Sequence, residues 1–244
     1  MIKADFHIHT GDDPADAISY TTFELIDRAA ELGYGAIAIT LHDAQLEEAK
    51  YEAYAASRGI VLIRGIERTI GGRHVLLLNF SRATESVHTF DDLAALKRAE
   101  PAGLVIAPHP FFPSGKALLG DLERHADLFD AVECNAMFTP VVNFNVFAER
   151  WARRHGKPMV GNGDVHRLEM LGTTYSLVDA APDAASICGA IKAGRVAVVA
   201  TPHTLPYAAM LMAKLVSSTF LPNGTIRTPR TPRTIRTPGI DLLG

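Results

Sequence analysis

The chain has 244 residues, of which 48% are hydrophobic and 21% are charged. This length is enough for one large globular domain, and it is usual for an α/β barrel. The formal net charge of -3 excludes a broad cationic surface, so contact with nucleic acid would be confined to a cleft. The two cysteines, Cys134 and Cys188, cannot form a disulfide framework and indicate a reducing compartment.

The N-terminal sequence lacks the apolar segment and cleavage site of a conventional secretory signal. The best later candidate for a membrane segment, residues 207–221, is too short to span a bilayer and carries Lys214. We therefore expect a cytoplasmic protein that has no membrane partner.

Predicted strands and helices alternate along most of the sequence. Apolar runs predict strands at residues 5–10, 35–40, 60–64, 73–78, 104–107, 131–134, 158–161, 173–178 and 195–200. Helices are predicted at residues 21–33, 44–57, 91–99, 118–128, 142–155 and 184–193. The first of them opens with the capping box Thr21-x-x-Glu24 and ends at Gly33. Such alternation predicts a parallel α/β fold.

The first predicted strand carries His7 and His9, two positions apart. Side chains alternate along a strand, so both histidines leave the backbone on the same side and can bind one metal ion. An isolated His-x-His pair is a weak signal, because half-buried structural histidines give the same pattern. Its weight depends on whether other metal-binding side chains converge on it.

Further histidines and carboxylates stand at the ends of later predicted strands. The complete set is His7, His9, Asp12 or Asp13, His42, Glu67, His74, His109, Asp164 and His166. The C-terminal ends of the strands of an α/β barrel form one rim, so these side chains are predicted to meet there. Any one of these histidines is more often structural, but core packing gives no reason to place such residues at five strand ends.

The predicted ligands are imidazoles and carboxylates without thiolate, which suits Zn, Mn or Fe. They exceed the needs of one tetrahedral site, so we predict two to three divalent ions, with Glu67 and Asp164 able to bridge them. Three divalent ions against three carboxylates leave the cleft positive. An anionic substrate such as a phosphate ester is therefore favoured.

The ordered motifs resemble those of the PHP (polymerase and histidinol phosphatase) family. They are His7-x-His9-Thr10, Ile39-Thr40-Leu41-His42-Asp43, Gly65-Ile66-Glu67, His74, Ala107-Pro108-His109-Pro110 and Gly163-Asp164-Val165-His166. The match covers residues 1 to about 200. The resemblance implies a single-domain, distorted (βα)7 TIM-like barrel with a trinuclear metal centre that hydrolyses phosphate monoesters or diesters.

The same resemblance implies how the ligands divide among three ions. His7, His9, Glu67 and Asp164 would hold the first ion, Glu67, His74 and His109 the second, and Asp13, His42 and His166 the third. Glu67, Asp164 and His166 are also the predicted catalytic residues.

The sequence departs from the family pattern at the third site. Family members commonly have Asp where this chain has Leu41, so one acidic group beside His42 is missing. The ligand from the first loop is either Asp12 or Asp13, and we prefer Asp13 because it precedes Pro14, which would fix the turn. The third metal is thus the least defined of the three.

The predicted reaction needs no side-chain nucleophile, since a hydroxide held between two ions would attack the phosphorus. Arg73, Lys116 and Arg167 each lie near a predicted ligand in the sequence and are candidates to bind the phosphate. Glu133 is predicted to support the ligands rather than to bind an ion. The predicted partner is a small phosphorylated substrate, either a nucleotide, a short oligonucleotide or a phosphate monoester.

Two other functions are consistent with these residues. An amidohydrolase-like enzyme also uses His-x-His on the first strand of an α/β barrel, but that class typically has a bridging lysine, and no lysine ends a central predicted strand here. A non-catalytic module would keep the metal centre as a structural element and bind a partner. The loss of an aspartate at Leu41 is the feature that keeps this alternative open.

The composition changes after about residue 221. We predict a hydrolase domain over residues 1–221 and a low-complexity tail over residues 222–244. Arginine recurs at every third position of the tail, at Arg227, Arg230, Arg233 and Arg236, among threonines and prolines. A disordered or polyproline-II tail is expected from this composition, and an anionic partner for the arginines is the more specific alternative.

Overall fold

Nine strands form a single sheet in the part of the chain that the computed structural model describes, residues 1–210. The strands are β1 (Ile2–Asp5), β2 (Ala36–Ile39), β3 (Val61–Ile70), β4 (Arg73–Leu78), β5 (Leu104–Ala107), β6 (Ala131–Asn135), β7 (Met159–Asn162), β8 (Thr174–Val178) and β9 (Val196–Ala200). Their order in the sheet is β7-β6-β5-β4-β3-β2-β1-β8-β9. Met1–Ala208 forms one compact unit. The predicted boundary at residue 221 and the arginine-rich tail lie outside the described residues.

Six α-helices connect these strands within the described residues. They are α1 (Thr22–Glu31), α2 (Glu52–Ser57), α3 (Phe90–Ala99), α4 (Gly120–Arg124), α5 (Asn145–His155) and α6 (Ala184–Lys192). The predicted capping box of α1 is present: Glu24 N–H donates to the Thr21 hydroxyl, and the Glu24 carboxylate accepts from Thr21 N–H. Gly156, in the left-handed conformation with φ 62°, ends α5.

β7, at one end of the sheet, approaches β8, the strand next to the other end, through a small residue. Gly161 N–H donates to the Ser176 hydroxyl of β8 at 3.0 Å. A Cβ atom at position 161 would lie 2.5 Å from the carbonyl oxygen of Tyr175, so only glycine permits this approach. The sheet thus curves into a nearly closed barrel with helices around it, which confirms the predicted distorted α/β barrel.

The sheet is mixed, whereas the alternation of strands and helices predicted a parallel one. β1, β2 and β3 are parallel neighbours, as are β5, β6 and β7. β4 is antiparallel to both β3 and β5, and β8 is antiparallel to β1 and β9. β3 and β4 are joined by Gly71 and Gly72, with φ of 56° and 81°, and so short a turn can only reverse the chain.

The β3–β4 hairpin explains why His74 lies near the start of its strand, while Glu67 lies near the end of β3 and the other predicted ligands follow their strands. His74 pairs with Thr69 and Leu76 pairs with Glu67 in the antiparallel register. The start of β4 therefore lies at the same edge as the end of β3. This reversal brings His74 to Glu67 although the two residues belong to strands that run in opposite directions.

Two predicted helices are shorter in the structure. Residues 44–57 were predicted as one helix, but the chain forms a 3₁₀ turn at Glu48–Lys50 and the short α2. The segment before the turn is held by other contacts, because Gln45 Nε2 donates to the Thr84 hydroxyl at 2.9 Å and Gln45 N–H donates to Glu85. Residues 118–128 likewise divide into α4 and a 3₁₀ turn at Ala126–Leu128, after Leu119 at φ 48°.

Apolar side chains from the helices pack on the sheet in two clusters. One contains Leu93 of α3 and Trp151 of α5 together with buried side chains of β4 and β5. The other contains Ile187 and Ile191 of α6 together with Ile63 of β3 and residues of β1 and β5. These clusters hold the strands whose ends carry the predicted ligands. Within residues 1–210, no helix combines the length and apolar character needed to cross a bilayer.

Candidate metal centre

The buried carboxylate of Glu67 lies at the middle of a cluster of histidines. Its side chain is only 1% exposed. Oε1 lies 3.3 Å from His7 Nε2, 2.8 Å from His74 Nδ1 and 3.1 Å from His109 Nε2. Oε2 lies 3.4 Å from His9 Nε2 and 3.1 Å from His42 Nε2. The two oxygens of one carboxylate thus face two different sets of imidazoles, as a bridging ligand requires.

Asp164 and His166 complete the cluster from the loop after β7. Asp164 Oδ1 lies 3.5 Å from His7 Nε2, 3.7 Å from His9 Nε2 and 3.4 Å from His166 Nδ1. The rings of His166 and His9 stack with their centres 4.3 Å apart. The structure therefore brings the predicted ligands together: most follow the first, second, fifth and seventh strands, Glu67 lies within the third, and His74 is near the start of the fourth.

Two extended segments place the first and last motifs beside each other. β1 ends at Asp5, before the histidines, but the chain remains extended through an isolated parallel bridge between Ile8 and Val165. His9 N–H donates to the Val165 carbonyl at 3.0 Å, and Val165 N–H donates to the His7 carbonyl at 3.1 Å. A second isolated bridge joins His42 to Glu67. Backbone pairing, and not side-chain contact alone, thus fixes the cluster.

Two residues of the cluster have an uncommon backbone conformation. His109 has φ 46° and Asp164 has φ 48°, in the left-handed region that non-glycine residues seldom adopt. Next to Asp164, Gly163 N–H donates to both oxygens of Asp5, and a Cβ at position 163 would lie 2.8 Å from Asp5 Oδ2. Backbone strain of this kind is common at functional sites, where the surrounding structure holds it.

The unpaired atoms of the cluster fit bound metal ions. His7 Nε2, His9 Nε2 and His109 Nδ1 are buried and have no hydrogen-bond partner. Four groups of three donor atoms lie within 4.8 Å of one another: His7, His9 and Glu67; His7, His109 and Asp164; His42, Glu67 and His74; and His9, His42 and His166. Buried imidazole nitrogens without partners, grouped with carboxylates, are the donor set of a divalent transition-metal site.

The lowered pKa values of Glu67 and Asp164 indicate that both carboxylates are ionised at this site. Burial opposes ionisation of Glu67, but the surrounding His7, His109 and His74 outweigh it and hold its pKa well below the usual range. The pKa of Asp164 is lowered in the same way, against the effect of burial, by His7 and His166. Both carboxylates are thus available as anionic ligands without losing a proton near neutral pH.

The histidines of the cluster differ from one another in pKa. Burial and the nearby His166 lower the pKa of His9 to about 4, so this imidazole is neutral at pH 7. Burial also opposes protonation of His166, but the Asp16 and Asp164 carboxylates outweigh it and raise its pKa to about 9. His166 is 34% exposed, which makes it the most accessible histidine of the cluster.

The acidic residues of the first loop have three different environments. Asp13 Oδ2 lies 2.9 Å from His9 Nδ1 and 3.0 Å from His42 Nδ1, so this carboxylate orients two rings. Asp12 accepts hydrogen bonds from the hydroxyls of Thr22 and Tyr51. Asp16, which the sequence analysis did not select, lies 3.1 Å from His166 Nε2 and 3.7 Å from His42 Nδ1. No spacing in the loop distinguished it from its neighbours.

Glu133 supports His7 from the side away from Glu67. Its Oε1 lies 2.8 Å from His7 Nδ1 and accepts from Asn162 Nδ2 at 2.9 Å, and its Oε2 accepts from Asn135 Nδ2 at 3.1 Å. Asn135 Nδ2 also donates to Asp164 Oδ2 at 3.2 Å. A carboxylate on the far nitrogen fixes the orientation and tautomer of a ligating histidine, as expected for this residue. The two asparagines were not selected from the sequence.

The predicted phosphate-binding residues have other contacts. Arg73 pairs with Asp121 at 3.0 Å and donates to the Gly115 carbonyl at 2.9 Å. Arg167 pairs with Glu169. The carbonyl of Lys116 accepts from His74 N–H at 3.0 Å, so its backbone positions a predicted ligand. A role of the three side chains in binding phosphate stays a prediction.

A family model described as PHP-associated matches residues 143–196, from the loop before α5 to the first residue of β9. No curated protein matches the sequence. The fold is similar to that of several solved structures, all of them at low sequence identity.

One of these is a two-domain protein from Bacteroides vulgatus that contains a predicted PHP-like metal-dependent phosphoesterase. It is 18% identical, with a TM-score of 0.63 over 82% of this chain and 65% of that chain. Another is PsfC from Pseudomonas syringae, 15% identical, with a TM-score of 0.59 over 90% of this chain and 99% of that one.

A lesion-specific endonuclease from Pyrococcus furiosus is 17% identical, with a TM-score of 0.55 over 86% of this chain and 66% of that chain. This chain therefore spans about two thirds of the length of two of the three proteins. The PHP-associated match and the barrel shared with a PHP-like protein confirm the resemblance of this chain to the PHP family.

Proposed function

We propose that the protein is a metal-dependent phosphoesterase that hydrolyses phosphate monoesters or diesters. The observation that carries the proposal is the buried Glu67 carboxylate with five imidazole nitrogens around it, next to buried histidine nitrogens that have no other partner. A packed core does not place five imidazoles on one carboxylate, whereas a centre of two or three Zn, Mn or Fe ions needs this donor set.

The contacts support a Glu67 carboxylate shared between ions, whereas the division of the other ligands among three ions follows from the family resemblance. Glu67 Oε1 faces His7, His74 and His109, and its Oε2 faces His9 and His42, which suits a carboxylate shared between ions. His7, His9, Glu67 and Asp164 would hold the first ion, and Glu67, His74 and His109 the second. His42 and His166 would hold the third together with a carboxylate of the first loop.

That carboxylate was predicted to be Asp13. We assign this role to Asp16 instead, because Asp13 Oδ2 lies within hydrogen-bond distance of the Nδ1 atoms of His9 and His42, while Asp16 Oδ2 lies 3.1 Å from His166 Nε2. In this arrangement Asp13 would orient both rings and Asp16 would bind the ion. Both aspartates thus serve the third site, and Leu41 leaves it without a further acid.

Divalent ions at this site would lower the pKa of water to near neutrality and neutralise charge on the phosphate oxygens. Glu67 and Asp164, already ionised, hold the cluster without competing for protons. His166, the most accessible histidine of the cluster, would be the first of them to meet an incoming substrate, and its Asp16 partner keeps the imidazole in place. His7 and His9 are fully buried, so bulk water does not reach their side chains.

The lysine expected of an amidohydrolase is not found in these strands. Lys3 is the only lysine in a strand of the described chain, and its ammonium donates to the Leu32 carbonyl at 2.9 Å and lies 4.4 Å from the ring centre of Tyr34. It is therefore engaged with α1 and Tyr34, and this favours the phosphoesterase over the amidohydrolase alternative.

The test combines elemental analysis with hydrolysis of 4-nitrophenyl phosphate and bis(4-nitrophenyl) phosphate. We expect two to three transition-metal ions per chain, activity that a chelator abolishes, and recovery with Mn, Zn or Fe. Glu67→Gln should remove both metal and turnover. Glu100→Gln is the matched control, because Glu100 accepts two hydrogen bonds from Ser81 outside the cluster. A fully folded protein that binds no metal, or hydrolysis that is unaffected by chelation, would refute the proposal.

A further inference from the structure

An aromatic cleft adjoins the candidate metal centre on the side of His109. We define it by Phe111 and Phe112, which follow His109 and Pro110, and by Phe144 and Phe147 at the start of α5. The rings of Phe112 and Phe144 meet edge to face with their centres 5.9 Å apart, and those of Phe111 and Phe147 are 6.2 Å apart. All four rings are partly or largely accessible to solvent.

The cleft has a narrow inner part and a wide outer part. The inner part holds only about 10 Å³ of free space, so Phe112 and Phe144 form a surface there rather than a hole. The outer part is a cavity of about 460 Å³. Phe111 lines both parts. The volume of the outer cavity falls in the range of about 300–1,000 Å³ that is common for small-molecule sites.

Two residues of the inner part belong to the metal centre or contact it. His109 lines the inner part, and its Nε2 lies 3.1 Å from Glu67 Oε1. Asn135 lines it too, and donates to Asp164. A phosphate ester whose phosphorus lies at the metal centre would therefore extend its organic part over Phe112 and Phe144. Because the apolar surface is continuous with the metal centre, the molecule that it would accept is the substrate bound at that centre.

The outer cavity combines apolar and cationic groups. Phe147 is 48% exposed and Leu119 is 45% exposed, so the described residues leave about half of each apolar side chain uncovered. Arg150 and Arg154 line the same cavity, with Glu123 as the single acid, and the Arg150 guanidinium lies 5.9 Å from the ring centre of Phe147. Exposed ring faces beside arginines favour a planar aromatic group that carries or adjoins negative charge.

We propose that the aromatic cleft binds the organic part of the substrate, and that this part contains a planar aromatic ring. Phe112 and Phe144 provide the face on which the ring packs, and Arg150 and Arg154 meet a second anionic group beyond it. This inference rests on the proposed function, since it places the reacting phosphate at the metal centre. The ring is either a nucleobase or a simple aryl group.

The test uses two pairs of esters that share the same type of leaving oxygen. Adenosine 5′-phosphate is compared with ribose 5-phosphate, and 2-phenylethyl phosphate with ethyl phosphate, so that each pair differs only in the ring. We expect kcat/KM to be about 5- to 150-fold higher for the ring-bearing ester, which corresponds to stacking worth about 1–3 kcal/mol. A preference in the first pair alone identifies a nucleobase, and a preference in both pairs identifies any aryl group.

The variants Phe112→Leu and Phe144→Leu keep apolar volume but remove the ring face, and should reduce the preference to within about twofold of unity. Phe147→Leu is the alternative if these variants fold poorly, because Phe147 is half exposed. Phe23→Leu is the matched control: Phe23 is an exposed aromatic residue of α1 that contacts Tyr51 and Tyr54 outside the cleft, and its replacement should leave the preference unchanged.

Equal kcat/KM within both pairs, or a preference that survives in the cleft variants, would overturn the inference while leaving the phosphoesterase in place. If none of the four monoesters is hydrolysed, the dissociation constants of the same pairs decide on the cleft, and the metal content and the two 4-nitrophenyl esters decide on the proposed function. Tighter binding of the ring-bearing esters that is lost in Phe112→Leu supports the cleft, and equal binding overturns it.

Discussion

Replacing Glu133 with glutamine tests whether this carboxylate orients His7 for metal binding. The substitution keeps the size of the side chain but turns one of its two acceptor oxygens into a donor. If the remaining oxygen faces His7 and Asn162, the new amide nitrogen faces Asn135 Nδ2, which is also a donor. If the amide is reversed, its nitrogen faces His7 Nδ1 and Asn162. Either orientation leaves a buried donor opposite a donor.

Two magnitudes follow from this conflict. An unsatisfied buried donor costs about 1–3 kcal/mol of the free energy of unfolding. Loss of the carboxylate behind a ligating histidine typically lowers metal affinity by about 10–100-fold. The first loss acts on the metal-free protein, whereas the second acts only on metal binding. The two effects are therefore separable by measuring stability in a chelator and affinity with a metal-competing dye.

We expect Glu133→Gln to show both losses and Glu100→Gln to show no loss of metal affinity. Glu100 is a suitable control because it also accepts two hydrogen bonds, from Ser81 N–H and Oγ, but lies outside the cluster. A Glu133→Gln variant that binds metal with unchanged affinity, whatever its melting temperature, would refute the positioning role. Such a result would reduce the contact between Glu133 and His7 to a structural hydrogen bond.

Three further outcomes are expected. Glu67→Gln should lower the metal content by more than one ion and turnover by orders of magnitude, because the two oxygens of Glu67 face both sets of imidazoles. His42→Ala should lose at most one ion. Loss of every ion from the His42→Ala variant would disprove the division of ligands. Gly103→Ala should lower the free energy of unfolding by about 1–3 kcal/mol in urea, since its Cβ would lie 2.2 Å from Phe80 Cε1; unchanged stability would contradict that packing. Deleting residues 222–244 should leave the melting temperature and the turnover of small esters unchanged, because the tail has few large apolar residues with which to pack. A large drop in melting temperature would show that the tail docks on the domain.

The sequence by itself determined the type of fold and which side chains meet at the candidate metal centre. Apolar runs alternating with helix patterns located the strands, since burial on both faces of a sheet requires such runs. Histidines and carboxylates directly after these runs were predicted to lie at one edge, because the C-terminal ends of parallel strands share an edge in an α/β barrel. This is why residues as distant as His7 and His166 were predicted to meet, and the structure brings them together.

The tertiary structure alone decided the direction of several strands and the partners of each acid. The apolar run of β4 fits a parallel or an antiparallel place, so it does not by itself specify that β4 runs against its neighbours. The structure settles this, because β3 extends to Ile70, only Gly71 and Gly72 join the two strands, and Thr69 pairs with His74. Nor does it distinguish Asp13 from Asp16, since both stand in one polar loop. Only the path of that loop past His42 places one carboxylate behind two rings and the other beside His166.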